Sequence, residues 1–162
     1  MADAAYVFRF VQQLKLKKNL KKWYIVRTSW LYGEGQNFVT AILKRAKEEG
    51  ELQVVNDQIG SPTYTYDLAK LVVDMIQTDK YGVYHVTNDG ICSWYEFACE
   101  IFKQTGMDVK VTPLTTAEYP AKAARPFNSR MSKEKLEGAG FEMLPAWQDA
   151  LKRYLQQINL TK

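Results

Sequence analysis

The chain has 162 residues, 46% of them hydrophobic and 25% charged, with a net charge of +4; that balance fits one ordinary globular core. No apolar run approaches the ~18–20 residues of a membrane span, and the opening Met1-Ala-Asp-Ala-Ala lacks the basic-then-apolar order of an export signal. A cytoplasmic protein without a membrane partner is expected, and a single histidine with two cysteines leaves too few ligands for a structural zinc site.

In chain order, Tyr6, Val7, Phe10, Val11 and Leu14 fall at helical spacing and predict an amphipathic helix from Tyr6 to Leu20. Lys15, Lys17, Lys18, Lys21 and Lys22 crowd its end. A phosphate-attracting patch for nucleic acid is one reading; the wet face of a surface helix is the simpler one, and no nucleic-acid partner is expected. Trp23 to Val26 reads as a buried strand, followed by a loop through Trp30-Leu-Tyr-Gly-Glu-Gly35. Asn37 to Glu49 has the apolar stripe of a helix, with Gly50 as its stop.

Leu52 to Val55 predicts a second strand, leading into the polar loop Asn56-Asp-Gln-Ile-Gly-Ser-Pro-Thr63. Asp67 is placed to cap a helix carrying Leu68, Leu71, Val72, Met75 and Ile76. Val83 to Val86 is a third strand, and Ser93 with Glu96 forms an S-x-x-E capping box ahead of Phe97, Ala98, Ile101 and Phe102. With Cys92 and Cys99 read as lying on this helix, their separation is about 10 Å, beyond the ~7 Å a disulfide allows, so free thiols are expected. Val109 to Val111 is a short strand, and an irregular segment then runs through Pro120 and Pro126. Two helices close the chain, over Ser132 to Leu136 and from Pro145 with Trp147, Leu151, Tyr154 and Leu155 inward. Strands alternating with helices mean α/β units and a mostly parallel sheet. Three or four strands are few for that architecture, and the organisation is that of a second half.

Five local sequences, in order, resemble one family: Arg27-Thr-Ser-Trp-Leu-Tyr-Gly33, Asn37-Phe-Val39, Val55-Asn-Asp-Gln-Ile-Gly-Ser-Pro-Thr-Tyr64 with Asp67-Leu-Ala69, Tyr84-His-Val-Thr-Asn88 and Arg125-Pro-Phe-Asn-Ser129. Together they are similar to the later part of the dTDP-4-dehydrorhamnose reductases, which are extended short-chain dehydrogenases/reductases. The resemblance implies the second half of a Rossmann-type parallel sheet plus the small substrate-binding lobe, with residues 1–162 as a single sugar-nucleotide-binding portion. It implies reduction of the 4-keto group of dTDP-4-dehydro-L-rhamnose with NADP or NAD in the complete enzyme.

Two parts of the family's machinery are not expected in this chain. A dinucleotide-binding turn needs three spaced glycines between a first strand and helix, and Gly33-Glu-Gly35 is a lone G-x-G in a later loop. The family's Tyr-x-x-x-Lys pair has one early candidate, Tyr6, and four residues on stands Phe10. The chain by itself is therefore expected to bind little dinucleotide and to lack turnover. A stand-alone, non-catalytic sugar-nucleotide-binding module is the alternative.

The site residues implied by the resemblance are Trp30, Gln58, Ser61, Thr63, Arg125, Asn128 and Ser129 for the substrate, and Thr28 and Ser29 near the nicotinamide. An indole offers a hexose a flat face and an N–H, although Trp30 reads equally well as packing. Gln58, Ser61 and Thr63 sit in a loop able to offer hydrogen bonds, or one made rigid by Gly60 and Pro62. Arg125 presents a planar fork to a diphosphate, with Asn128 and Ser129 as neutral neighbours, or is a plain surface charge in a proline-flanked loop. His85 reads as a hydrogen-bonded sheet residue rather than a base or metal ligand, and the aromatic helix after Ser93 as core. A half-sheet leaves an open edge, so homo-oligomers or exchange between chains are expected.

Overall fold

A computed structural model describes residues 12–13, 15–119 and 125–160. Tyr6 and Phe10, most of the first predicted helix and Pro120 lie outside the described residues. Residues 15–19 are helical and largely exposed; of the five clustered lysines, Lys17 lies over the Trp23 ring and Lys22 pairs with Asp79 at 3.9 Å.

Two parallel ladders organise the chain. Strand β1 (Tyr24–Arg27) pairs with β6 (Gly82–His85), running from Tyr24↔Gly82 to Arg27↔His85. Strand β3 (Glu51–Val55) pairs with β8 (Lys110–Leu114), from Glu51↔Lys110 to Val55↔Leu114. Parallel partners must be joined by crossovers, and helices supply them here. Helix α1 (Phe38–Glu49) precedes β3, α2 (Thr65–Ile76) precedes β6, and α3 (Trp94–Thr105) precedes β8. Helices α4 (Glu134–Gly138) and α5 (Trp147–Gln157) follow.

The mostly parallel α/β expectation holds, but the strands do not merge into one sheet. Each long ladder has its own core. Leu71 and Met75 of α2, Tyr84 and Val86 at β6, Leu136 of α4 and Leu144 form one cluster. The larger cluster takes Val39, Ile42 and Leu43 from α1, Leu52 and Val54 from β3, Phe97, Ile101 and Phe102 from α3, and Trp147, Leu151, Tyr154 and Leu155 from α5. Fully burying a side chain such as Phe97 or Leu151 stabilises by about 1.5–3 kcal/mol, and α1, α3 and α5 supply most of the apolar surface that packs on β3.

Helix boundaries follow from their caps. Asn37 accepts hydrogen bonds from the N–H groups of Val39 and Thr40, and the Thr40 hydroxyl takes up the Asn37 N–H. Gly50 ends α1 at φ 73°, a left-handed conformation that glycine adopts without Cβ strain. The Ser93–Glu96 box forms as expected. Three expectations need correction. Asp67 does not cap α2: Tyr64 is the N-cap residue and makes no side-chain cap bond, while Asp67 turns inward. Cys92 lies not on α3 but in the two-residue strand β7 (Cys92–Ser93) ahead of it, although both thiols are free. The loop after Trp30 contains the short strand β2 (Leu31–Tyr32).

Two small ladders tie the cores together at loop 56–64. Strand β2 pairs in parallel with β5 (Thr63–Tyr64), and β4 (Ile59–Gly60) pairs antiparallel with β7. Ile59 also bridges to Asn128, which brings the segment after residue 124 onto the same loop. No helix among the described residues is long and apolar enough to cross a membrane.

Candidate functional site

Loop 56–64 is the hub on which the predicted site residues converge. On one side the Thr63 hydroxyl donates to Ser29 O at 2.8 Å, the Thr63 N–H donates to Trp30 O at 3.1 Å, and Ser29 Oγ donates to Ser61 O at 3.3 Å. On the other, the Ile59 N–H donates to Phe127 O and the Ser129 N–H to Ile59 O, both at 2.8 Å. Ser61 Oγ donates to Gly90 O at 2.7 Å. Ser61 and Thr63 are therefore buried with their hydroxyl protons already given to backbone carbonyls, and they brace the loop. Asn128 is exposed, and its Oδ1 accepts from the N–H and Nε of Arg130. Thr28 Oγ1 is buried without a hydrogen-bond partner among the described residues.

Trp30 takes a left-handed φ of 48°, an uncommon conformation for a bulky residue. Its indole stacks on Trp94 with centroids 3.7 Å apart at 13°. A Cβ on Gly60 would lie 2.6 Å from Trp30 Cε2, so only glycine lets this loop approach the ring so closely. The stack buttresses a cavity of about 200 Å³. Phe38 and Trp94, with centroids 4.6 Å apart at 47°, supply ring walls. Arg45, Gln53, Gln58, Tyr119 and Arg125 supply polar ones. Arg45 is bound through Nε and Nη2 to Glu49, both at 2.9 Å. Arg125 is exposed at the cavity and makes no ion pair among the described residues.

Of the predicted residues, Gln58 and Arg125 line this cavity and Trp30 supports it from behind. Trp94 and Phe38 were not singled out as ligand-facing, because aromatic residues at helical spacing read as core, and Tyr119 falls in the irregular segment that follows Val111. Gly33 and Gly35 act as loop residues: Gly33 O accepts from Asn37 Nδ2 at 2.6 Å and Tyr154 OH at 2.9 Å. His85 Nδ1 lies 3.2 Å from Ser132 O at the end of β6, a sheet residue as read.

A buried polar network lies behind the site. Asp67 is 6% exposed and receives Arg153 Nη1 at 2.6 Å and Nη2 at 2.8 Å, with Asn88 Nδ2 at 2.7 Å. Asn88 Oδ1 accepts the Tyr64 N–H at 2.8 Å, and its Nδ2 also donates to Pro145 O at 3.0 Å. The pair thus anchors the end of loop 56–64 to α5 from a separation of 86 residues. The Tyr64 hydroxyl donates to Gln157, and burial pushes its pKa up. Tyr32 OH lies in the same aromatic cluster, buried without a hydrogen-bond partner among the described residues, and its pKa rises chiefly through burial.

The expectation that Tyr-x-x-x-Lys is missing holds only for the early position. The pattern occurs literally at Tyr66-Asp-Leu-Ala-Lys70. Both residues are exposed on α2 and line a different cavity, with Asp74, Glu142 and Arg153.

The RmlD substrate binding domain family matches residues 12–160. The chain is 48% identical over 134 residues to the spore coat polysaccharide biosynthesis protein SpsK of Bacillus subtilis (strain 168), covering 82% of this chain and 47% of that protein. It is 42% identical over 142 residues to a dTDP-4-dehydrorhamnose reductase of Aggregatibacter actinomycetemcomitans, covering 79% and 48%. The structure superposes with a TM-score of 0.88 on a dTDP-4-dehydrorhamnose reductase from Bacillus anthracis str. Ames, solved in complex with NADP, at 44% identity over 91% of this chain and 53% of that one. The chain spans about half the length of the curated relatives it matches. A dTDP-glucose 4,6-dehydratase at 14% identity and a TM-score of 0.72 shares the fold. The chain belongs to the RmlD substrate binding domain family.

Proposed function

We propose that residues 1–162 form the sugar-nucleotide-handling portion of a dTDP-4-dehydrorhamnose reductase, which reduces the 4-keto group of dTDP-4-dehydro-L-rhamnose with NADPH or NADH. The observation that carries this reading is the cavity that joins Arg125 to the Phe38–Trp94 wall and Gln58. A guanidinium with no carboxylate partner among the described residues suits diphosphate oxygens, and ring walls suit a nucleobase or sugar face. Arg45 adds a second cation at the same cavity, partly neutralised by Glu49.

Protonating the carbonyl oxygen as hydride arrives requires a positioned acid. The family pattern supplies it as a tyrosine with a lysine one helical turn on. The Tyr66–Lys70 pair does not line the Arg125 cavity, so the chain's part in the reaction is to bind and orient the sugar nucleotide. The dinucleotide and the proton donor come from the portion of the relatives that this chain does not span. We place the binding event in the cytoplasm.

Calorimetric titration of dTDP into the chain tests the reading. Arg125→Ala should weaken binding by about 1.5–3 kcal/mol, the worth of a hydrogen bond to a charged group. An unchanged affinity would remove Arg125 from the site. With dTDP-4-dehydro-L-rhamnose and NADPH the chain alone should show no NADPH oxidation, and sustained turnover would refute the assigned division of labour.

A further inference from the structure

The cavity contains one side chain whose hydrogen-bond polarity is set by its neighbours. An ionised carboxylate only accepts, and Asp57 receives the Thr116 N–H at 3.0 and 2.9 Å and the Thr116 hydroxyl at 2.6 Å. That hydroxyl has one proton and gives it to Asp57, so toward Gln58 it can only accept. The contact of Gln58 Nε2 with Thr116 Oγ1 at 3.1 Å therefore turns the amide's NH2 end to Thr116. Its carbonyl oxygen accepts no hydrogen bond among the described residues, on a side chain 5% exposed that shares the cavity lining with Phe38, Trp94 and Arg125.

We propose that Gln58 is the base-reading residue of this site, its carbonyl oxygen accepting the N3–H of a 2,4-dioxopyrimidine held against Phe38 and Trp94, with Asp57 and Thr116 as positioning residues. A cytosine ring carries a lone pair at N3, which would face the Gln58 carbonyl acceptor to acceptor. A site built around a hydrogen bond rejects an analogue that leaves its buried group unpaired. Gln53, also on the cavity lining, is exposed and has no comparable constraint on its amide. The inference rests on the placement of the nucleotide in this cavity under the proposed function.

The test is calorimetry on the full chain with dTDP, dUDP and dCDP, for the parent and for Gln58→Leu, Asp57→Asn and Arg125→Ala. The parent should bind dTDP and dUDP similarly, and both at least about tenfold more tightly than dCDP. Gln58→Leu should bring dUDP down to the dCDP level while dCDP stays within about twofold, which also reports an intact cavity. Asp57→Asn, whose amide can donate to the Thr116 oxygen and free Gln58 to turn, should narrow the gap in the same direction. A purely structural Gln58 would not move base preference. Equal, Arg125-dependent binding of dUDP and dCDP by the parent overturns the assignment to Gln58 alone, as does a full preference retained in Gln58→Leu. Loss of all Arg125-dependent nucleotide binding in the parent overturns the placement in the cavity, and the inference with it.

Discussion

Replacing Asn88 by alanine removes the side chain that hydrogen-bonds loop 56–64 to the buried ion pair. Asn88 is fully buried. Its loss strands the Tyr64 N–H, which Asn88 Oδ1 accepts at 2.8 Å, at a cost of about 1–3 kcal/mol for a buried donor without a partner. It also takes a 2.7 Å N–H donor from the Asp67 carboxylate, a bond to a charged group worth about 1.5–3 kcal/mol. Neighbouring terms do not add fully, so a loss of about 3–5 kcal/mol is expected. Urea unfolding followed by circular dichroism measures it, and with a slope of about 1–3 kcal/mol per molar the midpoint should fall by more than about 1 M. Asn88→Asp sharpens the test, since it keeps an acceptor for Tyr64 but sets a second carboxylate against Asp67. It should be as damaging as alanine at pH 7 and recover in part on acidification. A loss below about 1 kcal/mol in the alanine variant, or a wild-type midpoint in Asn88→Asp, refutes the network as the loop's anchor.

Three further outcomes follow from the geometry. Gly60→Ala places a Cβ 2.6 Å from Trp30 Cε2; it should displace the Trp30–Trp94 stack, cost about 1–3 kcal/mol by overpacking, and change the near-ultraviolet circular dichroism. Hydrogen bonds from Thr116 hold the Asp57 carboxyl below its ordinary value of 3.8. A depressed folded value stabilises the protein above the unfolded pKa and loses that contribution as pH falls through the folded one. The wild-type advantage over Asp57→Asn in urea midpoint should therefore be constant from pH 7 to about 5 and vanish in strong acid; an advantage that persists there refutes the ionic role. Among the described residues β1 and β6 pair only with each other, and an unpaired strand edge is a template for another chain. Light scattering should give a mass above the 18.7 kDa of one chain, and a clean monomer would count against association through that edge.

The long elements were legible because their signals are local. Helices α1, α3 and α5 carry apolar stripes over three turns, and Ser93–Glu96 and Gly50 mark boundaries that the backbone obeys. Strands β2, β4, β5 and β7 were not legible, since two residues have no period and their pairing depends on chain 30 or more residues away. Asp67 was misread for the same reason. An aspartate near a helix start looks like a cap, and only Arg153 on α5 reveals it as half of a buried pair. At the site, family resemblance selected Gln58 and Arg125, which composition and spacing alone would not have distinguished from the chain's other polar residues. Phe38 and Trp94 were hidden because an aromatic residue that walls a cavity and one that fills a core have the same spacing. The serine and threonine of Gly60-Ser-Pro-Thr63 looked like ligand donors, but the fold spends their protons on Gly90 and Ser29.

As proposed above, residues 1–162 bind the sugar nucleotide and little dinucleotide. Parallel calorimetric titrations of dTDP and NADPH into the same sample test it most directly. The account predicts saturable dTDP binding that Arg125→Ala weakens, with no measurable heat from NADPH under the same conditions. Saturable NADPH binding together with an absence of dTDP binding would contradict it.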